Sequence, residues 1–422
     1  MLKCQTWGLN YFRKIFNLVL THILYAQKKI VLQAFRRKNN PKISIVIGPR
    51  QVGKTTILKQ LQQELGGIYL DLDILENAEK FETYKKAIEF LQLEGLKNEK
   101  FYLFLDEFQK YENITKVLKN IYDNHTNIKI FATGSSSIQI KGKIQESLAG
   151  RKFLHFLYPL DFEEFYEFKG KDLAKLKRIR ELKSTTPKPE FQSLLTEFIL
   201  YGGYPEVVLS KDKQKILGSI FDSYIKKDLV DYLKPDELIG IKKLIQYLAV
   251  NNGNKLNLKD ISQSLSIQRY RLEQYLEILE ETFIVQRITP FFTNKNKEIT
   301  KAYKEYFMDN GIRNYFLNNF NPLELRNDAG FLFESFVAEE ILKNSEYDLN
   351  FWQDKLKHEV DFIIDKVHEQ IALEAKFKTN LKSGDYRNLN KLPETIRKKY
   401  LVNLAFQDNI HILPYSIKNI IK

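Results

Sequence analysis

Apolar positions change their spacing along this chain, and the changes divide it. Between residues 41 and 165, short apolar runs at 43–47 (ISIVI), 68–72 (IYLDL), 101–106 (FYLFLD), 128–132 (IKIFA) and 153–157 (FLHFL) alternate with amphipathic stretches. Runs this short that stay apolar throughout predict strands buried on both faces. Strand alternating with helix predicts a parallel sheet over 41–170, in an α/β architecture. After the first run Ile57, Leu58, Leu61 and Leu65 recur at spacings of one, three and four, which is a helix. A lysine- and arginine-rich stretch from 171 ends in the loop Ser184-Thr185-Thr186-Pro187-Lys188-Pro189. Residues 191–250 then read as helices, with Phe191, Leu194, Leu195 and Phe198 on one face and Phe221, Tyr224 and Ile225 on another. Together 171–250 predict a helical lid. Two helices at 258–265 and 268–281, a turn at Ser266-Ile267, and apolar strands at 283–288 and 303–308 predict a winged helix over 251–325. Residues 326–422 begin with a helix, Phe331 to Leu342, and continue with extended stretches at 359–364 and 371–376. No repeat of 20–50 residues is present.

The chemistry starts at the end of the first strand. Gly48-Pro49-Arg50-Gln51-Val52-Gly53-Lys54-Thr55-Thr56 lies between that strand and the helix. Glycines let a loop curl so that its N–H groups face phosphate oxygens, and the helix N-terminus adds positive potential at the same point. Lys54 is placed to reach the β- and γ-phosphates of ATP, and the Thr55 hydroxyl to ligate Mg²⁺. The run 101–105 delivers Asp106 and Glu107 at its C-terminal end. Buried carboxylates are costly unless used. Asp106 is assigned to Mg²⁺ through its water shell and Glu107 to the attacking water. In Ala132-Thr133-Gly134-Ser135-Ser136-Ser137, Thr133 or Ser135 is placed to sense the γ-phosphate, with a serine-rich turn as the plain alternative. Arg151 is either a surface residue or a group that stabilises transition-state charge, in its own subunit or a neighbour's.

These motifs carry a resemblance. GPRQVGKTT, FLDEFQ, ATGSSS, ESLAGR, YPLDFEEF and Tyr201-Gly202-Gly203-Tyr204-Pro205-Glu206 stand in the order in which they occur in a large group of prokaryotic AAA-type ATPases. Those proteins carry a C-terminal domain of unknown function. The resemblance covers nearly the whole chain beyond the first forty residues, and it implies an AAA+ core with ATP and Mg²⁺. It implies no biological role.

Further along, Arg269, Arg271 and Gln274 fall on the exposed face of the second predicted helix, which suits either a DNA groove or a protein-packing module. In the last ninety residues Asp361 opens an apolar strand, and Glu374 and Lys376 leave the next on one face, two residues apart. Two carboxylates and a lysine across a hairpin can hold a divalent metal and activate water beside a phosphodiester. This resembles the PD-(D/E)XK nuclease motif, with Glu334 as the helix acid and Val360 in place of the proline. The expected C-terminal domain is thus an α/β restriction-endonuclease-like fold using Mg²⁺ or Mn²⁺ at Asp361 and Glu374. An alternating strand with a solvated charged face, or an inactive nuclease fold, gives the same pattern.

Composition adds limits. With 422 residues, 43% hydrophobic and 28% charged, the chain has the make-up of a globular protein of several domains. Its formal net charge is +13, which permits DNA as a partner. Lys3, Arg13, Lys14, Lys28, Lys29, Arg36, Arg37, Lys38 and Lys42 all precede the first acid, Glu64. Residues 1–40 therefore read as a basic amphipathic helix, either a solvated face or a contact for nucleic acid or a membrane surface. The apolar stretch 15–26 is too short to span a bilayer and is interrupted by Asn17, Thr21 and His22. Cys4 is the single cysteine, which excludes an intrachain disulfide and a cysteine zinc site and fits the cytoplasm. The reading is an ATPase whose cycle drives or gates DNA processing, possible as a homo-oligomer; the alternative is a nucleotide-dependent switch that binds a protein or DNA without cutting.

Overall fold

The computed structural model describes residues 40–108, 113–135, 147–181, 189–229, 233–291, 303–366, 368–405 and 410–421. The expected N-terminal helix, Gln109, Ser136, Ser137 and Glu146 lie outside these residues. The chain divides into two compact units between Tyr158 and Pro159. Among the described residues no helix is long and apolar enough to cross a membrane.

In the first unit, strands β1 (Ile43–Gly48), β2 (Ile68–Asp71), β3 (Phe101–Asp106), β4 (Ile128–Ser135) and β5 (Lys152–Phe156) form one sheet in the order β2-β3-β4-β1-β5. Every pairing is parallel. All residues of β1 and β4 are buried, as strands with both faces covered must be. Helix α1 (Lys54–Leu65) follows β1 and buries Ile57, Leu58 and Leu61. The strands expected from the apolar runs are those observed, within a residue or two at most ends; β4 runs three residues further, to Ser135.

In the second unit, helices occupy Pro189–Tyr201, Pro205–Leu209, Lys213–Tyr224 and Pro235–Val250, so the stretch expected as a lid is helical. Its aromatic side joins the core of this unit: the Phe198 ring lies 5.7 Å from Phe162 and 5.9 Å from Phe336. Helices α2 (Leu258–Leu265) and α3 (Arg269–Glu281) precede an antiparallel pair, β6 (Val285–Pro290) and β7 (Lys304–Phe307). That pair does not stand alone. Strand β6 also pairs in parallel with β8 (Asp348–Gln353), so the sheet continues through β9 (Glu359–Lys366), β10 (Glu369–Ala375), β11 (Lys398–Val402) and β12 (His411–Ile412). The order is β12-β11-β10-β9-β8-β6-β7. The segments on either side of residue 325 therefore share one sheet. Between β7 and β8 runs helix α4 (Ala329–Asn344), which carries Glu334.

A buried charge cluster fixes the entry to α4. Arg326 sends two hydrogen bonds of 2.8 Å to Asp328, one to each carboxylate oxygen. Arg313, 2% exposed, adds a third of 3.0 Å and donates 2.9 Å to the Ala249 carbonyl. Burial alone would raise the Asp328 carboxyl, but the two guanidiniums overcome it and hold the group at about 2. Its folded value lies below its unfolded one, so the stability it contributes is present above pH ~4 and is lost as pH falls toward ~2. Asp328→Asn should cost about 2 kcal/mol at pH 7. In denaturant titrations the gap from wild type should close as pH drops through that window.

Candidate functional sites

The loop after β1 is shaped by two glycines for different reasons. A Cβ on Gly48 would sit 2.0 Å from the Leu157 carbonyl oxygen, so backbone approaches backbone where only hydrogen fits. Gly53 adopts φ +97°, open to glycine and strained for other residues. Helix α1 then starts at Lys54 with no side chain capping it and no acid in its first turn. Its first N–H groups and its positive end therefore face the loop. Lys54, 5% exposed, donates to the carbonyls of Gly48 at 2.9 Å and Pro49 at 2.8 Å, which holds its ammonium over the loop. Val52 is fully buried and anchors the loop from beneath, while Gln51 is exposed at φ +62°. Thr55 and Thr56 stand half-buried in the first turn, and Arg50 is half-buried in the loop.

The parallel register brings the other motifs to this edge. Gly48 pairs with Ser135, so the end of β4 stands beside the loop. Asp106, 1% exposed, closes β3. Its Oδ1 accepts a short hydrogen bond from the Thr133 hydroxyl. Its Oδ2 accepts one of 2.8 Å from the Tyr69 hydroxyl on β2. The Glu107 amide donates to the Thr133 oxygen at 3.4 Å, and Glu107 adopts φ +51°. A non-glycine residue there is strained, and such strain clusters where a side chain must be aimed. Thr133 and Ser135 are buried.

Arg151 is not part of this edge. The Ile43 amide donates to its carbonyl, so it sits at the opposite, N-terminal ends of the strands. With a rise of ~3.3 Å per residue, a strand the length of β1 puts roughly 15–20 Å between it and the loop. Its guanidinium pairs with Asp123 at 2.6 and 3.1 Å. The expectation that Arg151 contacts nucleotide bound to its own chain is corrected: parallel strands separate their two ends. The readings left to it are a surface residue paired with Asp123 or a contact for a neighbour's nucleotide.

The second unit gathers a different set. Glu374, on β10, follows the last paired residues of β9 and β10, Leu373 and Phe362. The antiparallel register thus sets it across from Asp361. The Ala375 amide donates to Asp361 at 2.8 Å, and Lys376 pairs with Glu374 at 2.7 Å. Burial, then the neighbouring Glu374 and Glu334 charges, push the Asp361 carboxyl well above the carboxylate range. Glu374 is raised by burial, and Lys376 and its own hydrogen bonds oppose that. Glu334 accepts 2.6 Å from the Tyr306 hydroxyl and 3.3 Å from Lys304. Lys304 also lies 2.7 Å from Glu359, which Lys255 reaches at 2.7 Å from its other oxygen. So Glu334, Asp361, Glu374 and Lys376 converge. Among the described residues, however, no three His, Cys, Asp or Glu side chains form a group able to hold a metal ion. The two acids of the expected metal site stand apart from any such group of three: Asp361 accepts from the Ala375 amide, and Glu374 pairs with Lys376 through one oxygen while its other is buried without a hydrogen-bond partner.

Comparison with known proteins bears on the first of these sites. Residues 40–166 match the family model described as the AAA domain. The first unit is an AAA-type domain. Residues 192–323 and 329–416 match two domains of unknown function, DUF8612 and DUF4143. An uncharacterized protein of Haemophilus influenzae is 27% identical over 396 residues, covering 90% of this chain and 93% of its own. One from Methanocaldococcus jannaschii is 28% identical, covering 82% and 78%. Among solved structures, a Walker-type ATPase of Pyrococcus abyssi aligns with a TM-score of 0.45 at 16% identity, covering 71% of this chain and 94% of its own.

Tyr69 of the AAA domain escaped the sequence reading, as did Lys304, Tyr306, Glu359 and Lys255 of the second unit. Spacing carried a faint signal: Tyr69 and Asp71, Lys304 and Tyr306, and Glu359 and Asp361 are each two residues apart, hence on one face of a strand. The strain at Glu107 gives a test. Glu107→Gly should be more stable than Glu107→Ala by about 1 kcal/mol in denaturant titrations, because only glycine adopts that backbone without penalty.

Proposed function

We propose that the chain is an ATP-hydrolysing AAA protein whose second unit acts on nucleic acid. The observation that carries the first part is Asp106: a buried carboxylate, with a hydroxyl on each oxygen, at the strand end beside a loop that an uncapped helix follows. Each carboxylate oxygen accepts more than one hydrogen bond, so Asp106 retains acceptor capacity. Thr55 and Asp106 have the oxygen donors that suit Mg²⁺, and they are the residues that would hold it. The ion would neutralise phosphate charge when bound with ATP. Lys54 and the loop Gly48 to Thr56, through its backbone N–H groups (Pro49 has none), bind the phosphates. Glu107, aimed by its backbone, orients the attacking water, and Thr133 ties it to Asp106. Ser135 reads the γ-phosphate.

For the second unit, the reading is that Asp361, Glu374 and Lys376 act on a phosphodiester, with Glu334 beside them, in a nuclease-like fold whose sheet takes in β6 and β7 of the expected winged helix. The register of β9 and β10 and the crowding of negative charge at Asp361 support it. A specific observation favours the second reading, a nucleotide-dependent switch with a protein partner. Helix α3 carries two arginines against four glutamates, a net of −2. Its Arg271 lies 3.5 Å from Glu237, and its Arg269 pairs with Glu273 at 3.0 Å. An acidic helix with engaged arginines suits a protein surface better than a DNA groove.

Lys54→Ala should abolish tight ATP binding, measured by calorimetry. Glu107→Gln should keep binding and lower turnover by about a hundredfold or more; wild-type turnover in that variant removes the water-orienting role. On single-stranded, duplex and branched DNA with Mg²⁺ or Mn²⁺, wild type should cut, and Asp361→Ala or Glu374→Ala should not, with ATP hydrolysis kept. Wild type that cuts nothing under any metal or nucleotide condition decides for the switch.

A further inference from the structure

Asp106 is held from two sides, and only one of the two holders belongs to the motifs in the sequence. Thr133 reaches Oδ1 from β4. Tyr69 reaches Oδ2 from β2, on the other flank of β3. The register explains how. Tyr69 pairs with Phe104 and Asp71 with Asp106, so Tyr69 and Asp106 lie on the same face of adjacent parallel strands, one step apart. From α1 the Lys59 ammonium lies over the Tyr69 ring, 5.2 Å from its centroid. The hydroxyl therefore links the helix that follows the phosphate loop to the carboxylate at the end of β3.

We infer that Tyr69 is a positioning residue of the ATP site, which sets the orientation of the Asp106 carboxylate before Mg²⁺ and nucleotide arrive. The inference rests on the ATPase reading and deepens it. A carboxylate at a strand end rotates about its last torsion, and one hydroxyl on one oxygen leaves that rotation partly free. Hydroxyls on both oxygens, from opposite sides, define the plane of the group. Each oxygen keeps a lone pair for a metal-bound water. The phenol serves only as a donor here. The Glu107 amide is tied to the same network through Thr133.

Tyr69→Phe removes the hydroxyl and keeps the ring under Lys59. A hydrogen bond to a charged group is worth roughly tenfold to a hundredfold in an equilibrium. Turnover should therefore fall about tenfold, and the Mg²⁺ needed for half-maximal rate should rise several-fold. Nucleotide affinity measured with EDTA present should not change, nor should the melting temperature by more than about 2 °C. Tyr102→Phe, a phenol of the neighbouring strand away from this edge, should match wild type in every readout. A merely structural tyrosine would lower stability and leave the Mg²⁺ dependence alone. If Tyr69→Phe keeps both the wild-type rate and the wild-type Mg²⁺ requirement, the inference is overturned while the ATPase reading stands. If wild type binds nucleotide without measurable turnover, the affinity for Mg²⁺·ADP decides by the same comparison: a several-fold loss in Tyr69→Phe upholds the role and equal affinity overturns it. If wild type binds no nucleotide, the ATPase reading fails and this inference falls with it.

Discussion

Parallel pairing of β1 with β4 is the constraint on which the rest of the AAA domain depends. It sets Gly48 beside Ser135 and, one strand further out, aligns the ends of β3 and β2 with the same edge. Groups separated by dozens of residues then meet because all four strands end together. The same pairing explains Arg151. A residue that enters β5 must lie where the strands begin, so its chemistry is directed away from the loop.

The second unit is held together differently. Many charged side chains are buried there, and several are answered by an opposite charge. Arg326 and Arg313 meet Asp328, and Lys418 meets Asp161 at 2.7 Å. Near β9 and β10, Lys304, Lys255 and Lys376 face Glu334, Glu359, Asp361 and Glu374. This arrangement fixes geometry at the cost of desolvation, and the crowded carboxylates record that cost in the raised position of Asp361.

How far the sequence revealed this depended on range. The strands of the AAA domain were legible because buried parallel strands read as unbroken apolar runs, and the loop because its residues are local. Asp106 and Glu107 were legible because acids at the end of such a run have few reasons to be there. Tyr69 was not, because its role depends on which strand lies beside β3, and pairing order is not written in any window of residues. Lys304 shows the same limit: its partners Glu334 and Glu359 are 30 and 55 positions away. The separation into a winged helix and a following domain, drawn from helix and strand patterns, took no account of β6, which joins both.

That shared strand has a consequence for handling the protein in pieces. Strand β8 is an interior strand only because β6 lies alongside it. A fragment starting at residue 326 would begin with β8 as a bare edge, offering unpaired amides and carbonyls next to the buried Phe351. Open edges of that kind template association with other chains. The same cut would leave Glu334 without Tyr306 and Glu359 without Lys304. The C-terminal matched segment is thus only part of a compact unit, and the boundary of that unit lies far upstream, at Pro159.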